Sequence, residues 1–275
     1  MEGVTLIELK SISGSCFSGE VKDVSFRLQN GKTYGVFSTH YADAVCLLAL
    51  LSGARPPTGG SVLAGGFDLH REAKEARRSI TYLSANLLPD NELTPIEYLM
   101  TVADIRELPY DKTLRHAHEL LELADLSGKK ETLISNLSYS EKRILCLLQL
   151  LLGKPEFLVL TSPFSGLIPK DVQKMRDLIH YLGDTYTIFI CTPSPKELCD
   201  MCDEILVLED STLKTIAPAN DEALAKELSA PAAEIVSQPE SNTPKSNREK
   251  ALWKLLMQKS GECEVLDSEE KEDEN

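Results

Sequence analysis

Nowhere in this 275-residue chain does an apolar run approach the ~20 residues that a membrane-spanning helix needs, and the first residues lack a basic-then-apolar secretion pattern. The chain therefore reads as soluble and intracellular. Positive charge is also scarce. Against 43 Asp and Glu stand 29 Lys and Arg, a formal net charge of −14, which argues against nucleic acid as a partner. About half of that excess falls in 262–275, where eight acidic residues meet a single Lys. The seven cysteines are odd in number and scattered mostly through apolar contexts such as Cys46, Cys146 and Cys191, so they form no disulfide framework and fit a reducing compartment. Two absences are local. No Lys or Arg lies between Lys32 and Arg55, and no Asp or Glu lies between Glu156 and Asp171.

The first gap contains the stretch around which the chain is organised. Tyr34 to Phe37 reads as a buried strand, a short loop of small and polar residues follows, and a strongly apolar helix is expected over Ala44 to Leu51, stopped by Ser52 and Gly53. Strand, loop and helix have the shape of a phosphate-binding loop. In the pattern G-x-x-x-x-G-K-[ST], backbone N–H groups wrap the phosphates, Lys reaches the terminal phosphates and the Ser/Thr hydroxyl holds Mg²⁺. The four fixed positions here read Ser38, Asp43, Ala44 and Val45. There is no ammonium and no metal-binding hydroxyl. Asp43 puts a carboxylate at the helix end that favours a phosphate anion.

Beyond the reactive residues, the stretch resembles the phosphate loop of ABC transporter ATP-binding subunits, down to the trailing Leu47 to Gly53, and the resemblance runs through roughly the first four-fifths of the chain. Leu6 to Leu9 and Val24 to Leu28 look like the first two strands, with a turn at Asn30-Gly31. Arg55 to Gly60 is similar to the family's Pro- and Gly-rich turn. Ile80 to Leu83 resembles the strand before the Q-loop, Leu93 to Leu99 the helix start after it, and Leu137 to Glu141 sits where the LSGGQ signature belongs. Phe157 to Leu160 resembles a Walker B strand, Ser165 to Pro169 matches an SGLDP D-loop in four of five places, and Ile188 to Thr192 and Cys202 to Leu208 look like the last strands.

The same register implies losses at every reactive position. The Q-loop glutamine is Ala85. In the signature, Tyr139 replaces a glycine and Glu141 adds negative charge where a partner's γ-phosphate would approach, leaving Leu137 and Ser138. The Walker B aspartate is Thr161 and the adjacent glutamate Ser162; the D-loop aspartate is Ile168 and the switch histidine Pro193. Phosphoryl transfer relies on positioning and electrostatic stabilisation, so these losses together imply little or no hydrolysis.

The expected fold is α/β: a P-loop NTPase-like ABC ATPase fold with antiparallel N-terminal strands, a RecA-like core and an inserted helical subdomain. The expected domain spans 1–228, with the core at 1–83 and 153–228 and the helical subdomain at 84–152, where Pro95 to Arg106 and Lys112 to Leu126 carry helical periodicity. A flexible linker at 229–247, a short amphipathic helix at 248–260 and an acidic tail at 261–275 follow. Cys199-x-x-Cys202 lacks a second pair and reads as structural, and His116 and His118 read as solvated helix surface.

The resemblance implies a catalytically degenerate subunit acting as a structural or regulatory partner in an export-type transport complex, cytoplasmic and peripheral on the inner face of the membrane. Its partners would be a membrane-spanning subunit, docked through the helical subdomain, and an intact paralogue or a second copy; the C-terminal helix is a candidate docking element. No cofactor is expected. One alternative is a divergent ATPase that still binds ATP with Mg²⁺ and slowly hydrolyses it through a rearranged loop, with Thr39, His40, Tyr41 and Cys46 beside the degenerate positions and Lys32 the nearest cation. Another is a soluble scaffold unattached to a transporter. A coupling groove would expose apolar and acidic groups around Pro95 to Ala103, and a free scaffold would not.

Overall fold

The computed structural model describes residues 5–16 and 18–220, with side chains from residue 7 onward. The chain divides into two compact units, Met1–Ala232 and Ala233–Asn275. The end of the expected domain (221–228), the linker, the amphipathic helix and the acidic tail all lie outside the described residues.

Two sheets sandwich the first helix. Strands β1 (Thr5–Cys16), β2 (Gly19–Gln29), β4 (Gly59–Ala64) and β5 (Phe67–Asp68) make an antiparallel sheet in the order β2-β1-β4-β5. On β2, Val21, Val24, Phe26 and Leu28 are buried while Lys22, Asp23, Ser25 and Arg27 face out, the period-2 pattern of a half-covered sheet. The second sheet runs β10-β9-β3-β8-β7-β6 and is parallel apart from β10. Its inner strands β3 (Thr33–Ser38), β7 (Phe157–Thr161) and β8 (Thr187–Cys191) are buried at every residue, as strands covered on both faces must be. Strands β6 (Ile80–Leu83), β9 (Glu204–Glu209) and β10 (Thr212–Pro218) complete it.

Helix α1 (Tyr41–Leu51) packs with Ile7, Leu9, Val21 and Phe26 of the first sheet and with Val36, Phe189 and Leu206 of the second. A helix buried on all sides must be apolar all round, which is why 44–51 carries no amphipathic stripe. The other face of the parallel sheet shares a second core with α5 (Tyr139–Leu151), α6 (Pro169–Gly183) and α7 (Pro195–Met201), and α3 (Pro95–Ile105) and α4 (Tyr110–Leu123) extend that core by packing on each other and on α5, while α2 (Ala73–Ser79) leads directly into β6. Capping boxes open two of these helices: Thr94 with Glu97 on α3, and Ser138 with Glu141 on α5.

Several expectations shift. Helix α1 starts at Tyr41 instead of Ala44, so only Thr39 and His40 separate it from β3. Cys202 caps α7 and is not in the last parallel strand, which begins at Glu204. His118 is exposed as expected, but His116 is not free surface, because its Nε2 lies 3.3 Å from the Leu151 carbonyl at the end of α5 and its Nδ1 3.3 Å from Glu119. Around Pro95 to Ala103, where a coupling groove would expose apolar and acidic groups and a free scaffold would not, Pro95, Tyr98, Leu99 and Ala103 are buried in this chain's own core, and the outer side of α3 shows Glu97, Thr101, Asp104 and Ile105. Among the described residues no helix is long and apolar enough to cross a membrane.

Candidate functional site

Parallel topology brings the carboxyl ends of β3, β7 and β8 side by side, where open α/β sheets bind their ligands. Ser38 closes β3, Thr161 closes β7 with Ser162 directly after it, and Cys191 closes β8. A phosphate loop needs a flexible run between the strand and the lysine so that its N–H groups can face an anion. Here that run is taken into the helix. The backbone N–H of His40 donates to Ser38 Oγ (3.2 Å) and that of Asp43 to the His40 carbonyl (2.8 Å).

Asp43 is buried, and its carboxylate is fully engaged. Oδ1 accepts the backbone N–H of Glu20 at the start of β2 (2.8 Å) and lies 3.1 Å from His40 Nδ1; Oδ2 accepts the Ser211 hydroxyl from the β9–β10 turn (3.2 Å). A carboxylate in a first helical turn also complements the positive end of the helix dipole. Asp43 thus stabilises α1 by taking up the favourable position that a phosphate would use. Close approach is required for this: a Cβ on Gly19 would lie 2.0 Å from the Ala42 carbonyl oxygen, so only glycine lets the β1–β2 turn reach the helix.

The aromatic side chain of Tyr41 fills the space between the strand ends. Its hydroxyl hydrogen-bonds Ser162 Oγ and sits 3.6 Å from Cys191 Sγ; beside it Thr161 Oγ1 donates to the Tyr82 hydroxyl (3.4 Å). Burial pushes the Tyr41 phenol far above its ordinary range and the Cys191 thiol up to about 11. The cluster is neutral. Ser162 adopts φ +44, a left-handed conformation that costs a non-glycine residue about 1–2 kcal/mol, and its N–H donates to the Cys191 carbonyl (2.9 Å).

Ala44, at the lysine position, is fully buried, and Cys46 turns away from the loop, its Sγ 3.8 Å from the Gly14 carbonyl. Val45 is partly buried, Thr39 exposed. Lys32 is not a substitute cation: it pairs with Glu204 (2.5 Å) at the start of β3, roughly 20 Å along an extended strand from Ser38. Partly buried Ala85 has no polar group to offer, and Pro193 is exposed.

A second cluster forms where α5 meets α6. The exposed Tyr139 ring covers Gly166, whose added Cβ would lie 2.8 Å from it, and the Tyr139 hydroxyl donates to the Ser165 carbonyl (3.4 Å). Ser140 Oγ bonds the Asp171 carboxylate, and Ile168, 62% exposed, caps α6. Glu141 does not project its charge. Burial raises its pKa, but Lys129 at 2.6 Å and the Ser138 N–H at 2.9 Å outweigh that and hold it below the usual carboxylate range. Ser211, Tyr82 and Cys191 went unread as site residues because no linear signal ties them to partners far along the chain, Asp43, Thr161 and Tyr41.

The folded residues do not fit a magnesium nucleotide. The loop carries no cation, the β7 end carries hydroxyls where carboxylates hold the metal, and a tyrosine occupies the gap.

The two sheets, the apolar helix between them and the helical layer define a P-loop-type ATPase fold. Residues 21–165, more than half of the chain, match the family described as ABC transporter, and the chain belongs to the ABC transporter ATP-binding family. It is 24% identical over 202 residues to the linearmycin resistance ATP-binding protein of Bacillus subtilis (strain 168), covering 73% of this chain and 65% of that one. To the methionine import ATP-binding protein of Geobacillus kaustophilus (strain HTA426) it is 27% identical over 201 residues, covering 70% and 58%. To a Nod factor export ATP-binding protein of Neorhizobium galegae it is 28% identical over 199 residues, covering 72% and 57%. The chain therefore spans less than two thirds of the length of these relatives. Among solved structures it superposes on a nucleotide-free ATP-binding cassette from an ABC transporter with a TM-score of 0.72 at 16% identity, covering 86% of this chain and all of that one.

Proposed function

We propose that this chain is a nucleotide-independent ABC-type subunit, a structural or regulatory partner in an export-type transport complex, and that it neither binds nor hydrolyses ATP. The observation that carries the reading is Tyr41, whose hydroxyl bridges to Ser162 through the space between the phosphate-loop and Walker B positions, while Asp43 takes the helix end. Ser38, Ala44, Val45, Ala85, Tyr139, Glu141, Ile168 and Pro193 supply none of the charge or flexibility that the family's chemistry requires. The proposed domain runs over 1–228, with the helical block 84–152 contacting a membrane-spanning subunit and the face bearing Tyr139 and Ile168 meeting an intact paralogue or a second copy. Export is the direction printed for the Nod factor relative, and resistance for the linearmycin one. Such a complex places the chain at the cytoplasmic face of the membrane.

Equilibrium binding of a fluorescent ATP analogue to the full chain, with and without Mg²⁺ and titrated to about millimolar, tests this. No saturable binding by a folded sample is expected. Saturable, Mg²⁺-dependent binding competed by ATP overturns the reading.

A further inference from the structure

The turn from β2 to β3 carries the chain from the antiparallel sheet to the parallel one, and it holds the only Asn-Gly pair in the 275 residues, Asn30-Gly31. Gly31 has φ +75, the left-handed conformation that the third position of a type II turn requires, and a Cβ added to it would meet nothing within 4 Å. Asn30 is exposed, and its side-chain amide makes no hydrogen bond among the described residues. The main chain of the turn is held firmly. The Gly31 N–H donates to Thr187 Oγ1 (2.8 Å) and the Ile188 N–H to the Lys32 carbonyl (3.1 Å), while the Tyr34 hydroxyl accepts the Gln29 N–H (3.2 Å) and donates to the Gln29 carbonyl (3.1 Å).

An asparagine can close a ring on the backbone nitrogen that follows it. The Gly31 nitrogen, on losing its proton, attacks the side-chain carbonyl carbon of Asn30; the bond from that carbon to the amide nitrogen breaks, ammonia leaves, and a succinimide remains. Water then opens the ring at one carbonyl or the other and yields aspartate or isoaspartate, so a carboxylate replaces an amide and water is the only co-reactant. A side chain on the following residue would crowd the attack, and glycine has none. Access is therefore met: Asn30 is exposed, and open space lies where a Cβ of Gly31 would stand. Freedom of the nucleophile is not. Ring closure requires rotation about the Asn30 Cα–C bond, and that rotation turns the Gly31 N–H away from Thr187, a residue of β8 only 2% exposed.

We propose that Asn30 is a site of spontaneous deamidation and isoaspartate formation, held in check in the folded chain by the bond from Gly31 to Thr187. Once the isoaspartate forms, the main chain passes through one carbon more, and the turn no longer matches its anchors, Thr187 on β8 and Tyr34 on β3. The start of β3, which pairs with Ile188 and Phe189, loosens with it. The modification is independent of the nucleotide question, since none of these residues belongs to the strand-end cluster.

The test incubates the full chain for days at mildly alkaline pH, folded and in urea, and follows the peptide bearing Asn30 by mass spectrometry, with isoaspartate and aspartate forms separated by retention. Asn86, Asn91 and Asn136, none followed by glycine, are internal references. Expected are slow modification of Asn30 in the folded chain, a rate roughly tenfold higher in folded Thr187→Val, the rate equivalent of one lost hydrogen bond, and a rate near wild type in Thr187→Ser, which keeps the oxygen. Asp43→Ala, destabilised elsewhere with this turn intact, should also stay near the wild-type rate, and in urea all four proteins should share one fast rate. If Thr187→Val does not fold, Tyr34→Phe, which releases Gln29 at the head of the same turn, is read in its place. Any one of four results overturns the proposal: no modification of Asn30 in urea, a folded chain that reacts as fast as the unfolded one, Thr187→Val no faster than wild type, or Asp43→Ala as fast as Thr187→Val, which would make global unfolding the gate.

Discussion

The Tyr41 hydroxyl is hydrogen-bonded to Ser162, joining the first residue of α1 to the residue that follows β7. One contact closes the loop at one end and the metal position at the other. Restoring the phosphate-loop residues alone should therefore fail. The triple variant Asp43→Gly, Ala44→Lys, Val45→Ser is expected to hold Mg²⁺-ATP no more tightly than about 1 mM, because Tyr41 still fills the gap and Thr161 and Ser162 still lack a carboxylate. Isothermal calorimetry on a sample shown to be folded decides the matter. Micromolar binding by the triple variant would mean that Tyr41 yields readily and that the loop residues alone silence the site.

Asp43 ties three segments that are distant in sequence: β2 through the Glu20 N–H, the β9–β10 turn through Ser211, and its own helix. Removing the carboxylate leaves a buried donor without an acceptor, a loss of about 2–3 kcal/mol for Asp43→Ala, against about 1 kcal/mol for Asp43→Asn, which keeps an accepting oxygen. Urea denaturation midpoints separate the two. Equal losses would show that the carboxylate is replaceable by water.

How far the sequence was legible follows from where each element's determinants lie. Phe157 to Leu160 and Ile188 to Cys191 were readable because strands buried on both faces are apolar without interruption, and the family register set their order. The start of α1 was not. Thr39, His40 and Asp43 have the composition of a loop, and what makes 41–43 helical is the pairing of Tyr41 with Ser162 and of Asp43 with Glu20 and Ser211, none of it local. His116 misled in the same way, since its partner is the carbonyl of Leu151 on another helix. The missing charges of the site were legible residue by residue; that a tyrosine occupies their place was not.

Arg143 on α5 is fully buried, and among the described residues only Nη1 is satisfied, by the carbonyls of Ser84 (3.2 Å) and Leu87 (2.9 Å), while Nε and Nη2 have no partner there. Burial holds its pKa below the usual arginine value, and no carboxylate offsets that cost. The guanidinium therefore positions the segment after β6 at the expense of stability. Arg143→Met should change unfolding free energy by no more than about 1 kcal/mol in either direction while amide exchange across 84–91 accelerates. A loss above about 3 kcal/mol, or unchanged exchange, counts against this.

Alkaline pH should weaken the fold through its buried thiols. Burial pushes Cys191 and Cys146 from 9.0 up to about 11. In the unfolded chain they ionise near the ordinary value, so between pH 9 and 11 the unfolded state holds fewer protons than the folded one. The contribution of these two thiols is whole below about pH 9 and is lost as pH rises toward 11, by roughly 2–3 kcal/mol per thiol at most, while Cys46, Cys202 and the buried phenols, which burial raises further, extend the decline beyond it. Denaturation midpoints measured at intervals from pH 8 to 11 should show the decline, and Cys191→Ala, which has no proton to lose, should show a shallower one. The variant leaves the Tyr41–Ser162 bond but also removes the thiol's own part in holding the Tyr41 phenol up, so both effects make its slope shallower. An identical slope in the two proteins would assign the alkaline loss to groups other than Cys191, the thiols of Cys46, Cys146 and Cys202 and the phenols of Tyr41 and Tyr82, all raised by burial.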